Sequence, residues 1–366
     1  MRILRDHFLK EFGRTFAACL LLLLMVFLAG RGLVKMADLV FNRDVDPLLV
    51  GKLFLYTTPF LLTFVIPMSV LMATLFTFGK LSHDNEITAV RASGVSIFRA
   101  SLPILAAVLV LSAFSYLLSD RVASTAHYAY RRLFAQIGIE SPAAALEEGT
   151  FVKKFKNFII FVYEIDKTKL KGIRIYQPQE GGPTRTIIAE RGEIISVPEK
   201  NLLILSLSHG TSDEPDARDP SKLYKLTFKS YDLPLNIATA RDVEDLGKKP
   251  KDMTVNELKD EIKRLGEDGI EATYPLAAEI HNKLALALSS IAFVLLGIPL
   301  GITTRRTEKS INFGIALVLM TAYWTLLIGG KALAQKGIAP PFISLQFANF
   351  LVGGAGAFLF ARMARN

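Results

Sequence analysis

One cysteine, Cys19, is all this chain offers, so no intrachain disulfide can form and no cysteine cluster can hold a metal. The five histidines, His7, His83, His127, His209 and His281, make no HExxH pair, and no G-x-S-x-G nucleophile elbow occurs. The Gly-Lys pairs at Gly51, Gly79, Gly247 and Gly330 all lack both the upstream glycine and the following Ser or Thr of a P-loop. Hydrolysis of ATP by that route is therefore excluded. Asp and Glu are missing from the cores of the apolar runs, although an intramembrane aspartyl protease or a proton-coupled carrier needs them despite a cost of a few kcal/mol. The expectation is a chain that is not an enzyme and carries neither cofactor nor metal.

What is abundant is apolar surface. Of 366 residues, 51% are hydrophobic, and they gather into long runs with few charges. That pattern reads as an α-helical polytopic membrane protein. In a soluble protein a net charge of +9 would suggest nucleic acid, but basic residues in a membrane protein set orientation and meet anionic lipid head groups. Membrane lipids, not nucleic acid, are the expected partners.

Uncharged runs cover 15–30, 53–79, 100–119, 284–304, 310–330 and 337–361. A helix needs about 20 residues to cross a hydrocarbon core, so six crossings are predicted. The first run is short but is extended by flanking apolar residues, with Arg14 and Arg31 able to reach the interfaces. A signal peptide is the competing reading, disfavoured by the length of the run and the basic residue after it. Arg2, Arg5, Lys10, Arg14, Lys80, Arg91, Arg99, Arg305, Arg306, Lys309, Arg362 and Arg365 fall on one side of these spans. Fewer basic residues occupy the short loops of the other side, which places both termini in the cytoplasm. The stretch after Asp120 then lies outside.

That outer stretch changes pattern. "GTFVKKF", "NFIIFVYEI", "LKGIRIYQP", "RTIIAERGEI", "NLLILSLSHGT" and "KLYKLTFKSYDL" each read as a strand, which makes the insert all-β. "TSDEPDARDP" reads as a surface turn, since its prolines and spacing fit no calcium loop. Thr254 and Glu257 form a capping box opening a helix whose apolar stripe is expected to pack on the sheet or lie at the membrane surface. The expected organisation is spans one to three over 1–120, a β domain over 121–252, a connecting helix and linker over 253–274, and spans four to six over 275–366.

"GKLSHDNEITAVRASGVS" interrupts the apolar pattern on the cytoplasmic side. Ser82 is suited to cap a helix over about 83–93, with Asp84 and Glu86 in its first turn and Gly94 just past its end. So short a helix is stable only when something else holds it. An ordinary amphipathic loop helix and a docking element are both compatible with these residues.

The segment resembles the one joining the second and third spans of the LptF/LptG permeases, which export lipopolysaccharide from the bacterial inner membrane. The likeness extends over nearly the whole chain: "VIPMSVLMATLFTFGKLS" before the segment, "GTF", "FVYEI", "GIRIY" and "IIAERGEI" in the insert, and "AEIHNKLALALSSIAFVLLGIPLGI" in the fourth span. A proline that the family often has near Ala287 is absent here. "NEITAVRASG" is closer to the F member than to the G member. The resemblance implies a permease with six spans and a periplasmic β-jellyroll, paired with a second permease of the family. It further implies a separate dimeric ABC ATPase, and a periplasmic jellyroll bridge protein that receives the lipopolysaccharide. The short helix would be the coupling helix docked on that ATPase, with Asp84, Glu86, Arg91 and Gly94 at the contact and Ile87 and Val90 as apolar anchors. Arg31 and Lys35, on one helix face near the outer end of the first span, would hold lipid phosphates, as would Arg131 and Arg132 more weakly. Phe158, Ile160 and Val162 would line an acyl groove in the jellyroll, although a closed β core has the same alternation. A lipoprotein- or peptide-exporting permease and a non-transporting scaffold are the other readings.

Overall fold

The computed structural model describes residues 2–30, 34–41, 45–140, 146, 148–155, 158–166, 168–179, 182–197, 202–215, 223–236, 246–267, 273–303 and 309–365. The chain divides into two compact units: Met1–Gly30, Tyr56–Tyr128 and Lys248–Asn366 in one, Arg31–Leu55 and Ala129–Gly247 in the other.

The helices are α1 (Arg2–Leu28), α2 (Val34–Phe41), α3 (Pro47–His83), α4 (Glu86–Ala92), α5 (Ile97–Leu117) and α6 (Ser124–Glu140), then α7 (Val255–Glu267), α8 (Tyr274–Thr303), α9 (Lys309–Gln335) and α10 (Pro341–Arg365). Among the described residues, six helical segments are long and apolar enough to cross a membrane: Ile3–Leu28, Pro47–His83, Ile97–Ile137, Tyr274–Thr303, Ile311–Gln335 and Pro341–Met363. These match the six predicted spans. The second and third outrun the sequence reading, for α3 has 37 residues and is about 55 Å long. Likewise α5 continues through a π-helical turn at Leu118–Ala123 into α6.

In the first unit, α3 and α8 are mostly buried, whereas α1, α5, α9 and α10 keep apolar side chains outward. Met25 is 63% exposed, Val110 70%, Val318 65% and Phe358 67%. Apolar faces of that extent are costly in water and at home in hydrocarbon. Within hydrocarbon, apolar burial no longer drives helices together, so close packing and buried polar contacts must do it. At Gly301 of α8 an added Cβ would stand 3.0 Å from the Phe78 Cβ and 3.1 Å from the Leu75 carbonyl of α3. Tyr323 of α9 donates its hydroxyl to Asn349 of α10 at 3.0 Å, and Asn349 donates to the Ala285 carbonyl of α8 at 3.0 Å. Helix α8 passes through Ala287 unbroken, and the Ala287 carbonyl accepts the Ser112 hydroxyl of α5 at 2.7 Å.

The second unit holds six strands: β1 (Phe151–Phe155), β2 (Phe158–Asp166), β3 (Lys169–Gln179), β4 (Gly182–Val197), β5 (Leu202–Pro215) and β6 (Leu223–Asn236). All six predicted strands are present, paired antiparallel in chain order. Thr211–Pro215, expected in a turn, instead ends β5; the remainder of that stretch lies outside the described residues.

A crease runs across this sheet. Tyr163, Gly172, Glu190, His209 and Lys229 face one another on successive strands, and none belongs to a ladder pair. Gly172 (φ 64°) and His209 (φ 54°) are left-handed there. The buried face changes phase at the same line, from Ile173 and Ile175 to Leu170 on β3, and from Ile187 and Ala189 to Ile194 on β4. On a flat sheet, residues of one parity share a face, so a switch at one level on neighbouring strands means that the sheet turns a corner. The residues from both sides of the crease form one core. The expected jellyroll is thus a six-stranded meander folded over its own apolar face, with β1 and β6 as its edges.

Candidate functional site

Helix α3 carries on to His83, so Ser82 is no cap: it is buried inside the helix and donates to the Ile302 carbonyl at 3.0 Å. The chain turns at Asp84 and Asn85, the latter left-handed at φ 60°, and α4 occupies only Glu86–Ala92. Gly94, at φ 74°, follows the helix as predicted. Its amide donates to the Arg91 carbonyl at 3.0 Å and that of Val95 to the Val90 carbonyl at 3.3 Å. This is the Schellman pairing, with Val95 packed in the same cluster as Val90. Ser96 then caps α5 by accepting from the Arg99 amide at 3.4 Å.

Two of the proposed contact residues point the wrong way for that role. Ile87 is 1% exposed and Val90 6%, packed with Phe8 and Phe12 of α1, Phe78 and Leu81 of α3 and Ile97 of α5. As the only large apolar side chains of a seven-residue helix, they are what holds it to its own spans, so they are not surface anchors. Glu86 also has a partner within the chain, His7 Nε2 at 3.1 Å. The outward face is His83, Asp84, Asn85, Thr88, Ala89, Ala92 and Ser93, with Arg91 half-exposed.

The candidate lipid contacts are scattered. Arg31 lies outside the described residues, as does the side chain of Lys35, whose backbone belongs to α2. Arg131 and Arg132 are on α6; Arg132 is exposed, and Arg131 donates to the Gly247 carbonyl at 3.4 Å. Ile160 is 0% exposed and Val162 1%, both inside the folded sheet, with Phe158 half-buried against them. In this conformation they fill a closed core and line no groove.

At the opposite end of the spans, the structure assembles a polar cluster that the run-by-run reading passed over. Lys283 of α8 is 3% exposed and donates to Ser124 Oγ at 2.8 Å, the Met253 carbonyl at 2.5 Å and Asp120 Oδ1 at 3.3 Å. Asp120 sits in the π-helical turn and also accepts the Val255 amide at 2.6 Å. Asp252, 1% exposed, accepts the Lys249 amide at 2.8 Å and meets His127 Nδ1 at 2.5 Å. One helical turn before Lys283, Glu279 pairs with Lys331 of α9 at 2.7 Å. A lysine at the head of an apolar run was the signal available in sequence; its acceptors come from residues more than a hundred positions away and from the start of α7.

Helix α7 opens with the predicted capping box: the Thr254 amide donates to Glu257 Oε2 at 2.8 Å, and the Glu257 amide to Thr254 Oγ1 at 3.4 Å. Hydrogen bonds from Lys248 and from Thr254 hold the Glu257 carboxyl below its ordinary range. The apolar side of α7 packs on α8. No group of three or more His, Cys, Asp or Glu able to hold a metal occurs among the described residues.

The sequence matches the family described as "Lipopolysaccharide export system permease LptF/LptG" over residues 6–362. It is 22% identical over 360 residues to "Lipopolysaccharide export system permease protein LptF" of Escherichia coli (strain K12), covering 95% of this chain and 92% of that one, and equally to the Shigella flexneri protein of the same name. An uncharacterized protein of Rickettsia prowazekii (strain Madrid E), RP871, is 24% identical over 196 residues, 53% of each chain. With a match along nearly its whole length, six apolar spans and one inserted β domain, the chain belongs to the lipopolysaccharide export system permease LptF/LptG family.

Proposed function

We propose that this chain is a non-catalytic permease subunit that moves lipopolysaccharide out of the bacterial inner membrane, driven by a separate ATPase dimer and paired with a second permease of its family. The observation that carries this reading is the match to the permease family over 6–362, in a chain whose Gly-Lys pairs are not P-loops. Energy must then enter from another polypeptide, and the α3–α5 turn is the element suited to receive it. Its outward face is polar and small, around Thr88 and Ala89, and its backbone is fixed by the Schellman turn and the buried Ile87 and Val90. A rigid, shallow, hydrogen-bonding face fits a groove in a folded partner.

The excess of basic residues on the side of this turn supports a cytoplasmic location for it and for both termini, with the β domain in the periplasm. The open strand edges support a second contact. On β6, the last strand in the sheet order, Tyr224 is 61% exposed and Leu226 57%. Such an edge accepts a partner's strand, so a periplasmic jellyroll protein can extend the sheet and take the lipid onward. Arg31, Lys35, Arg131 and Arg132 remain the proposed cations for lipid phosphates. Passage of acyl chains past Phe158, Ile160 and Val162 requires the two layers of the folded sheet to part. Six candidate spans weigh against the lipoprotein or peptide exporters, which usually have four.

Affinity purification in mild detergent, with identification of the proteins and lipids that accompany the chain, tests the proposal. An ATPase subunit and lipopolysaccharide are expected together. Thr88→Arg with Ala89→Arg should remove the ATPase subunit while leaving the chain folded, because both positions are exposed. Retention of that subunit by the double variant would sink the docking role of α4.

A further inference from the structure

The first turns of α1 are amphipathic in an unusual direction: their apolar side is buried against the α3–α5 turn rather than left for lipid. Phe8 is 0% exposed and Phe12 4%, in one cluster with Phe78, Leu81, Ile87 and Val90. Phe8 meets Phe78 edge to face, with ring centroids 6.3 Å apart and planes at 85°. On the neighbouring side of the same helix, His7 and Glu11, one turn apart, each carry an ion pair. His7 Nε2 lies 3.1 Å from Glu86 Oε2 at the start of α4, and Glu11 Oε1 lies 2.5 Å from Lys80 Nζ near the end of α3.

These contacts divide the labour. Pairs as exposed as these contribute little to stability, so the apolar cluster supplies the adhesion. What two pairs at fixed spacing do supply is register: they set how far α1 slides and how it is rotated relative to α3 and α4. A seven-residue helix has no stability of its own, so its orientation is whatever its supports impose. Two of those supports, α3 and α5, are joined to it by the chain. The third, α1, is joined to it only through these side chains.

We propose that residues 7–12 of α1 are a brace that fixes the orientation of α4, so that the coupling turn and the first span move as one lever, with His7 and Glu11 as positioning residues. This rests on the reading of α4 as the ATPase-docking element. Displacement of α4 by a partner is then delivered directly into α1, the span whose outward face carries Leu21, Leu22, Met25 and Val26. The physical basis is rigidity. A packed aromatic cluster pinned by two pairs has one arrangement, so movement at α4 is not absorbed in the loop.

The test uses the full transporter reconstituted in vesicles, measuring ATPase-subunit retention, ATP hydrolysis and lipopolysaccharide released per ATP. Glu11→Lys should retain the ATPase subunit and hydrolysis while release per ATP falls by about two- to fivefold, the range that one exposed ion pair commands. The swap Glu11→Lys with Lys80→Glu should restore it, which a general folding defect would not allow. Parental coupling in Glu11→Lys, or failure of the swap to rescue, would each overturn the brace. The Thr88→Arg, Ala89→Arg variant separates the two ideas: if it keeps the ATPase subunit, the docking reading fails. If it loses the subunit while Glu11→Lys couples normally, only the brace fails.

Discussion

Lys283 is the residue whose surroundings are most constrained. Its ammonium is buried at the head of a membrane helix, where a charge without partners costs several kcal/mol, and three oxygens from α6, the Asp120 turn and the residue before α7's cap surround it. Lys283→Met would leave the Asp120 carboxylate short of a counter-charge and should lower stability by about 3–5 kcal/mol, the usual penalty for breaking a buried pair from one side. Thermal unfolding in detergent checks this, and adding Asp120→Asn should recover part of the loss, since the asparagine oxygen can still accept the Val255 amide. Glu257 makes a milder prediction. Its carboxyl is held below the usual glutamate range chiefly by the Lys248 hydrogen bond, then by the Thr254 amide. A depressed carboxyl stabilises the fold above its unfolded pKa and loses that contribution as pH falls through the folded value. Stability should therefore decline below about pH 4.5 in the parent and decline less over that window in Glu257→Gln, as followed by acid titration of unfolding.

At the scale of elements, two features depend on a glycine where a side chain would collide. The crease of the β domain passes through Gly172 at φ 64°, where an added Cβ would stand 2.9 Å from the Tyr163 Cβ. Gly172→Val combines a left-handed β-branched residue with that collision and should cost at least about 1–2 kcal/mol. Proteolysis of the β domain should become faster in this variant. The packing of α8 on α3 is a feature of the same kind without the backbone strain. Gly301→Leu puts a branched side chain where Phe78 and the Leu75 carbonyl already sit, and helices that must separate lose contacts along their length. A lower unfolding temperature in detergent, by several degrees, is the expected result.

For the molecule as a whole, the two ends of the spans are built differently. The end with the α3–α5 turn is closed by aromatic and aliphatic packing around Phe8, Phe78, Ile87 and Val90, with ion pairs only at its rim. The opposite end is closed by buried charge, Lys283 with Asp120 and Asp252 with His127. The first arrangement takes its adhesion from non-directional dispersion and its register from two rim ion pairs; the second rests on buried hydrogen bonds, each with a narrow geometry. Substitutions at the apolar end should therefore alter coupling more than stability, and those at the polar end the reverse. Release per ATP compared with unfolding temperature, for Glu11→Lys against Lys283→Met, reads that contrast.

Six spans, six strands and a capped helix after them could all be read in the sequence, because run length, alternation and capping are properties of neighbouring residues. The family resemblance lay in the same local segments. The direction each side chain faces did not follow. Ile87 and Val90 look like a partner's anchors in a seven-residue window, and only the approach of Phe8 and Phe78 turns them into the core. Ser82 looks like a cap until α3 is seen to continue past it. The sheet's fold along Gly172 and His209, and the acceptors around Lys283, depend on strands and helices far apart in the chain meeting at one level. Local chemistry determines which elements form, while burial and partnership belong to the contacts between them, and those exist only once the chain has packed.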